Sequence, residues 1–226
     1  MPVIQYQAQS QRVSFETLGI GRSRMSLNTP IQKRVKRHVI GREHTFFATT
    51  PPGLEYLCAQ EITALPADIK NTEIVSGGVE FRCRLTGCYA ANLHLRVPTR
   101  ILMRLTQFKA TNFRQLEKNV LHFPWELYLS PSSELDFSVK TRHSRLFHTS
   151  AITTRIETCI RERPPSLSSR KPGPPGKKDR QHLYVRAVDD HFFLSLDSSG
   201  ELLFKRGLKH EVGKAPIRET LAAAIL

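Results

Sequence analysis

The sequence predicts an α+β fold made of two consecutive α/β units. Two observations lead to this prediction. Strand and helix patterns follow the order β-α-β-β-α-β over residues 45–107. A second series of helix, strand, helix and hairpin patterns then covers residues 108–207. With 226 residues, the chain is long enough for one large or two small domains.

The first unit is predicted from five segments that show a helix or strand period or are bounded by Pro or Gly residues. An aromatic and β-branched strand is ended by Pro51, a helical apolar stripe follows, and Gly77-Gly78 joins two strands of a hairpin. Pro98 should end the second helix before a last strand. The segments are TFFATT (45–50), LEYLCAQEITAL (54–65), TEIVSGGVEFRC (72–83), TGCYAANLHLRVPTR (86–100) and ILMRLTQF (101–108). This order is that of a ferredoxin-like domain.

The second unit contains two amphipathic helices and several strands. The expected helices are NFRQLEKNVLHF (112–123) and TSAITTRIETCIRER (149–163), and the expected strands are ELDFSVKT (134–141), HLYVRAV (182–188), HFFLSLD (191–197) and GELLFKRG (200–207). Asp189-Asp190 should turn the hairpin. Residues 164–180 are rich in Pro, Gly, Ser and Lys and are expected to be a flexible loop. This loop does not predict phosphate binding, since Pro174 and Pro175 lack backbone N–H groups.

Positive charge is concentrated in two blocks. The net charge is +14, and residues 1–44 hold 8 Lys and Arg against 2 acidic residues, whereas residues 140–186 hold 12 against 3. Residues 1–44 lack a sustained helix or strand period and are expected to form a disordered extension. Basic blocks suit a polyanionic partner, although solubility or a basic linker explains the first block equally well.

Composition excludes some classes of function. The sequence has no run of about 18 apolar residues, so no membrane-spanning helix and no membrane partner are predicted, and a cytoplasmic location is expected. The cysteines, Cys58, Cys83, Cys88 and Cys159, lack the spacing of a zinc site. Buried, reduced thiols are therefore favoured over a metal site, and no metal ligand is predicted.

The chain resembles the N-terminal half of the bacterial THUMP-domain methyltransferases that modify guanine N2 in large-subunit ribosomal RNA. The resemblance covers roughly residues 45–226, and the segments that carry it are FFATTPPGLEYLCAQEI, GGVEF, ANLHLRVPTRIL, PW, SLDSSGELLFKRG and APIRETLAAAIL. It implies a ferredoxin-like domain at 45–107 and an α/β THUMP domain at 108–207, with a family boundary nearer 86 as an alternative.

The resemblance also implies a catalytic domain downstream. Residues 208–226 would be a linker and the truncated first helix of a Rossmann-like methyltransferase domain. Pro216 suits a first helical turn, and Ile217, Leu221 and Ile225 recur at four-residue spacing. The glycine-rich cofactor loop and the Asn/Asp-Pro-Pro-aromatic motif of such enzymes do not occur in the sequence. No catalytic or cofactor-binding residue is therefore predicted here, and S-adenosylmethionine is expected only for the full-length family.

Candidate RNA-binding residues lie in two stretches and on the predicted helix 149–163, where Arg155 points away from the apolar face. VKTRHSRLFHTS (139–150) places cations beside the start of a helix, where free N–H groups can face phosphate. FKRGLK (204–209) follows a predicted strand and is either a second phosphate contact or the joint to a further domain. The candidate residues are Lys140, Arg142, Arg145, His148, Arg155, Lys205, Arg206 and Lys209.

The sequence therefore favours an RNA-binding module that positions ribosomal RNA for guanine-N2 methylation. A stand-alone adaptor that binds RNA or another protein is the alternative. An intact small enzyme is the least favoured hypothesis, because His143 and His148 have no nucleophile or carboxylate beside them in sequence.

Overall fold

The structure is a computed structural model that describes residues 30–129, 133–162, 180–205 and 217–225. Its helices are α1 (Pro30–Val35), α2 (Glu55–Thr63), α3 (Leu85–His94), α4 (Phe113–His122), α5 (Thr149–Arg161) and α6 (Glu219–Ile225), with a π-helical turn at Lys36–Ile40 and a 3-10 turn at Trp125–Leu127. Its strands are β1 (His44–Thr49), β2 (Lys70–Val75), β3 (Gly78–Cys83), β4 (Arg100–Lys109), β5 (Glu134–Arg142), β6 (Arg180–Val188) and β7 (His191–Asp197).

All seven of these strands form one sheet in the order β2-β3-β1-β4-β7-β6-β5. The β5–β6 pair is parallel and the other pairs are antiparallel. Strands β1 to β4 and helices α2 and α3 follow the predicted β-α-β-β-α-β order, and the α+β class is confirmed. The second unit continues the same sheet, because β7 pairs with β4.

Two hydrophobic cores lie on the same face of this sheet. The first core contains Phe46 and Met103, and the second contains Phe192 and Leu194. Met103 is the register partner of Leu196, which packs against the second core, so the two cores share one face. Helices α2 and α3 cover the first core and α4 and α5 cover the second.

The opposite face carries an interlocked layer of arginine and aromatic side chains. The Arg104 guanidinium lies 4.4 Å from the centre of the Phe47 ring and 5.2 Å from that of Phe193. Its Nε donates to Glu80 Oε1 at 2.9 Å, although β1 separates β4 from β3 in the sheet. These contacts tie the two units together on the face away from the helices.

The sheet curls toward this second face. Arg186 on β6 donates from Nη1 to the carbonyl oxygen of Ser76, in the β2–β3 turn, at 2.9 Å. Three strands lie between β6 and β3, so the two would be about 19 Å apart in a flat sheet. Strong twist therefore brings the β2–β3 turn within reach of one arginine side chain.

The strand ends define two ends of the sheet. The upper end is formed by the strand termini Lys70, Cys83, His44, Lys109, His191, Val188 and Arg142. The termini of β4, β7, β6 and β5 pair with one another, and β4 extends four residues beyond the position level with His44. The lower end carries the opposite termini of the same strands, including Arg100 and Arg180. Loops from both units therefore meet at the upper end.

Two predictions about local structure are wrong. Residues 30–40 are helical, whereas a disordered extension had been predicted. This segment is held against the first unit because Val39 is buried in the first core and its carbonyl oxygen lies 2.7 Å from His44 Nε2. Residues 201–205 form turns, whereas a strand had been predicted over 200–207. Leu203 enters the first core and its N–H donates to the Thr99 carbonyl, so this segment leaves the sheet. Residues 1–29 and 206–207 lie outside the described ranges.

Candidate RNA-binding surface

The candidate surface begins where β5 ends at the upper end. Lys140 and Arg142 are exposed and lie two residues apart on the face of the sheet away from the helices, since Val139 packs against the second core. Lys140 is the register partner of Arg186 on β6. Among the described residues neither Lys140 nor Arg142 forms a salt bridge, so both charges are available to a ligand.

The loop that follows β5 is fastened to the β6–β7 turn. Asp190 Oδ1 accepts from the backbone N–H of Arg145 at 2.7 Å, and the Asp190 N–H donates to Ser144 Oγ at 3.1 Å. Asp189 and Asp190 have φ values of 50° and 64°, as a two-residue hairpin turn of the primed type requires. The predicted hairpin is confirmed, and its turn fixes the path of the basic loop.

The loop delivers Arg145 and His148 to the start of α5. The Arg145 side chain is 74% exposed, and its Nε lies 3.8 Å from Asp190 Oδ2. His148 is the residue before α5 and makes no side-chain hydrogen bond to the first turn. The first N–H groups of this 13-residue helix therefore receive no cap from the His148 side chain.

The other candidate residues are not part of this cluster. Arg155 donates to Glu117 Oε1 at 2.6 Å and lies over the Phe113 ring, because α4 packs beside α5. Lys205 is near the lower end and lies 3.5 Å from Glu201 Oε2. Arg206 and Lys209 lie outside the described residues. Of the candidates within the described residues, the structure therefore brings together Lys140, Arg142, Arg145 and His148.

Phe147 is a member of the surface that sequence reasoning missed. Its side chain is 60% exposed, and its ring centre lies 4.1 Å from that of His148. Its carbonyl oxygen accepts from Thr141 Oγ1 at 3.4 Å, which holds it beside the end of β5. An exposed aromatic ring among cations is a typical feature of surfaces that stack unpaired bases. The signal in sequence was the placement of Phe147 inside a basic loop.

Salt bridges separate the two ends of the sheet electrostatically. Six exposed cations at the upper end make no salt bridge with any residue in the ranges described: Arg42, Arg82, Arg84, Lys109, Lys140 and Arg142. By contrast, four cations at or near the lower end are each salt-bridged: Arg96, Arg100, Arg180 and Lys205. The upper end therefore holds a cluster of unpaired cations beside the paired Lys70 and Arg145, and exposed Arg114, Lys118 and Arg218 also lack a salt bridge to a described residue.

The four cysteines are free and buried. Burial raises the pKa of Cys58 and of Cys83 to about 12, so both thiols are protonated and unreactive near neutral pH. Across the described ranges, no three His, Cys, Asp or Glu side chains cluster so that they could hold a metal ion. In the same ranges, no helix has the length and hydropathy needed to span a membrane.

Known proteins share parts of this architecture. Residues 45–102 match the RlmL ferredoxin-like domain. The ribosomal RNA large subunit methyltransferase K/L of Methylococcus capsulatus is 34% identical over 182 residues, which are 80% of this chain and 24% of that protein. The structure of a predicted N6-adenine-specific DNA methylase from Listeria monocytogenes matches with a TM-score of 0.71 and 30% identity, over 82% of this chain and 48% of that one.

A further solved structure, a putative methyltransferase complexed with SAH, has a TM-score of 0.68 and 27% identity over 81% of this chain and 48% of that one. The chain is therefore similar in sequence and fold to parts of known methyltransferases, and its residues 45–102 match a ferredoxin-like domain. The large-subunit ribosomal RNA methyltransferases K/L are among its relatives, so the resemblance predicted from the sequence is confirmed. The chain spans about a quarter of the length of the K/L relative and about half of the solved methyltransferase chains.

Proposed function

We propose that this chain holds structured ribosomal RNA for guanine-N2 methylation by an S-adenosylmethionine-dependent domain of the same protein family. The observation that carries this proposal is the cluster of exposed, uncompensated cations at the end of β5. Lys140 and Arg142 lack a salt bridge to a described residue, whereas cations near the lower end are paired. The names of the relatives supply the class of RNA and of reaction.

The second unit, residues 108–207, is proposed to be a THUMP domain that performs this binding. Its basic loop lies at the start of α5 and is fixed by Asp190, so the cations are presented without a large rearrangement. Lysine and arginine side chains at such a place contact phosphate oxygens and carry no base sequence information. Recognition should therefore follow the shape of the RNA more than its sequence.

Salt dependence of RNA binding tests the proposal. Each phosphate contact that is lost should lower the slope of log K against log salt by about 0.7 to 0.9. The double variant K140Q/R142Q should therefore lower the slope by roughly 1.5 and weaken binding of a labelled RNA hairpin. A hairpin with a scrambled stem sequence should lose the same factor in affinity. Fluorescence anisotropy over a salt series measures both quantities.

A matched control removes the same charge elsewhere. Lys118 on α4 and Arg161 at the end of α5 are exposed and lie on helices away from the upper end, and Arg161 pairs with Glu157 at 2.7 Å. The variant K118Q/R161Q should bind the hairpin with nearly the slope of the unaltered chain. Equal slopes for the unaltered chain and K140Q/R142Q, or equal losses in the two variants, would remove the basis for assigning RNA binding to this surface.

A further inference from the structure

A second basic site lies in the first unit. A shallow, open cleft of about 470 Å³ is lined by Gly41, Arg42, Glu43, Arg82 and Arg84. Its three arginines come from the loop before β1, from β3 and from the residue that precedes α3. They are separated by up to 42 positions in sequence and meet because β1 pairs with β3, with His44 opposite Cys83.

The one carboxylate in the cleft already has a partner. Glu43 Oε1 lies 2.6 Å from Lys70 Nζ, and this hydrogen bond lowers the pKa of Glu43. Arg42, Arg82 and Arg84 are exposed and form no salt bridge with a residue that the structure describes. Lys70 also lies 3.5 Å from Asp68, so Arg42, Arg82, Arg84 and Lys70 against Glu43 and Asp68 leave a net charge of +2, which suits phosphate better than any neutral ligand.

The cleft and the proposed RNA-binding cluster open at the same end of one sheet. The strand pairings place Arg82 on one side of the sheet, level with Ser138, and Arg142 on the other side, four residues or about 13 Å further toward the upper end. Five strand spacings separate β3 from β5, about 24 Å in a flat sheet. Exposed Lys109, at the end of β4, lies between them and also lacks a salt bridge to a described residue.

We propose that the Arg42–Arg82–Arg84 cleft is a second phosphate-binding site, and that one RNA molecule contacts both units along the upper end of the sheet. This inference rests on the proposed function, since it assigns a further contact to the same ligand. The ferredoxin-like domain is then a binding surface as well as a scaffold. The ligand group is the phosphodiester backbone, because guanidinium groups spread over such a distance match a row of phosphates.

The test compares two pairs of variants with the same labelled RNA hairpin. R82Q/R84Q should lower the salt slope by about 1.5, as K140Q/R142Q should, whereas R82K/R84K keeps the charges and should keep the slope. The helical-surface control K118Q/R161Q should keep it as well. Thermal unfolding checks that each variant is folded.

Chemical modification of the unaltered chain tests the second site without depending on whether a variant folds. Phenylglyoxal modifies exposed guanidinium groups, and peptide mass spectrometry gives the rate at each arginine. The RNA hairpin should slow modification of Arg82, Arg84 and Arg142 several-fold and leave Arg161 unchanged. Equal rates at Arg82 and Arg84 with and without RNA would overturn the inference.

The outcomes distinguish this inference from the proposed function. If the unaltered chain does not bind the hairpin, both are wrong. If K140Q/R142Q weakens binding and R82Q/R84Q behaves as the unaltered chain does, only the second site is wrong. Loss of slope in both pairs, with protection of Arg82 and Arg84, supports a single RNA footprint across the two units.

Discussion

Replacing Arg104 with methionine should destabilise the whole sheet. The Arg104 side chain is 14% exposed and pairs with Glu80 at 2.8 Å. Its Nη1 also donates to Oγ of the buried Ser195 at 3.2 Å. It also lies over the rings of Phe47 and Phe193. Methionine would keep part of the apolar contact but would leave Glu80 without its partner.

The expected loss follows from these contacts. Breaking a buried ion pair from one side costs about 3–5 kcal/mol, and Glu80 is 28% exposed, which places the cost at the lower limit. Two cation–π contacts add to the loss, while the retained methionine packing offsets part of it. We expect the free energy of unfolding to fall by about 3 kcal/mol, equivalent to a drop of about 6–12 °C in Tm.

Urea unfolding measures this change with an intrinsic probe. Trp125 is the single tryptophan and is buried in the second core, so its fluorescence reports that core, while circular dichroism reports both units. R104M/E80Q should regain about 1 kcal/mol relative to R104M, because it removes the unpaired charge. The surface control R161M should change stability by less than about 0.5 kcal/mol. If R104M unfolds at the same urea concentration as the unaltered chain, the layer of arginine and aromatic side chains does not hold the units together.

Three further perturbations have defined outcomes. F147A should weaken binding of an RNA with unpaired nucleotides by about 1–3 kcal/mol in a titration, with less effect on a fully paired duplex. G78A should abolish soluble expression or strongly lower Tm, because its new Cβ would lie 2.0 Å from the Ala48 carbonyl oxygen. The Cys58 and Cys83 thiols should not affect stability below about pH 9, but stability should fall as pH rises from about 9 toward 12. The pKa of each thiol is raised to about 12 in the folded chain, so the same thiols ionise at lower pH in the unfolded chain. Urea unfolding of C58A/C83A should show a weaker decline over that pH range.

Regular patterns allowed most of the fold to be predicted from the sequence. The helices α2 to α5 and the strands β1 to β7 depend on local periodicity and on turn residues, which are visible without tertiary information. For example, Asn112 precedes α4, and its side chain accepts from the Gln115 N–H, as an N-cap residue should. The two wrong predictions, at 30–40 and 200–207, concern segments whose conformation is set by Val39 and Leu203 entering a core.

The candidate site was only partly accessible to sequence reasoning. Lys140, Arg142 and Arg145 could be found because they lie close together in one basic stretch. Arg155 was predicted to face away from the core, which is correct, but its pairing with Glu117 depends on how α4 packs beside α5. The cleft formed by Arg42, Arg82 and Arg84 depends on strand pairing between distant segments, so no local pattern reports it.

Insertion of Leu203 into the first core has a consequence for distances. It anchors the chain beside Thr99, at the lower end, while the exposed cations gather at the upper end. The ten residues of β4 span the two ends, a length of about 33 Å. The sheet therefore separates the two ends by one strand length. The chain after Lys205 continues from the lower end, whereas RNA is proposed to bind at the upper end. An RNA bound at the upper end would have to extend along that length toward the lower end. The length of the sheet would therefore set the distance between the bound phosphates and any nucleotide that is reached from the lower end.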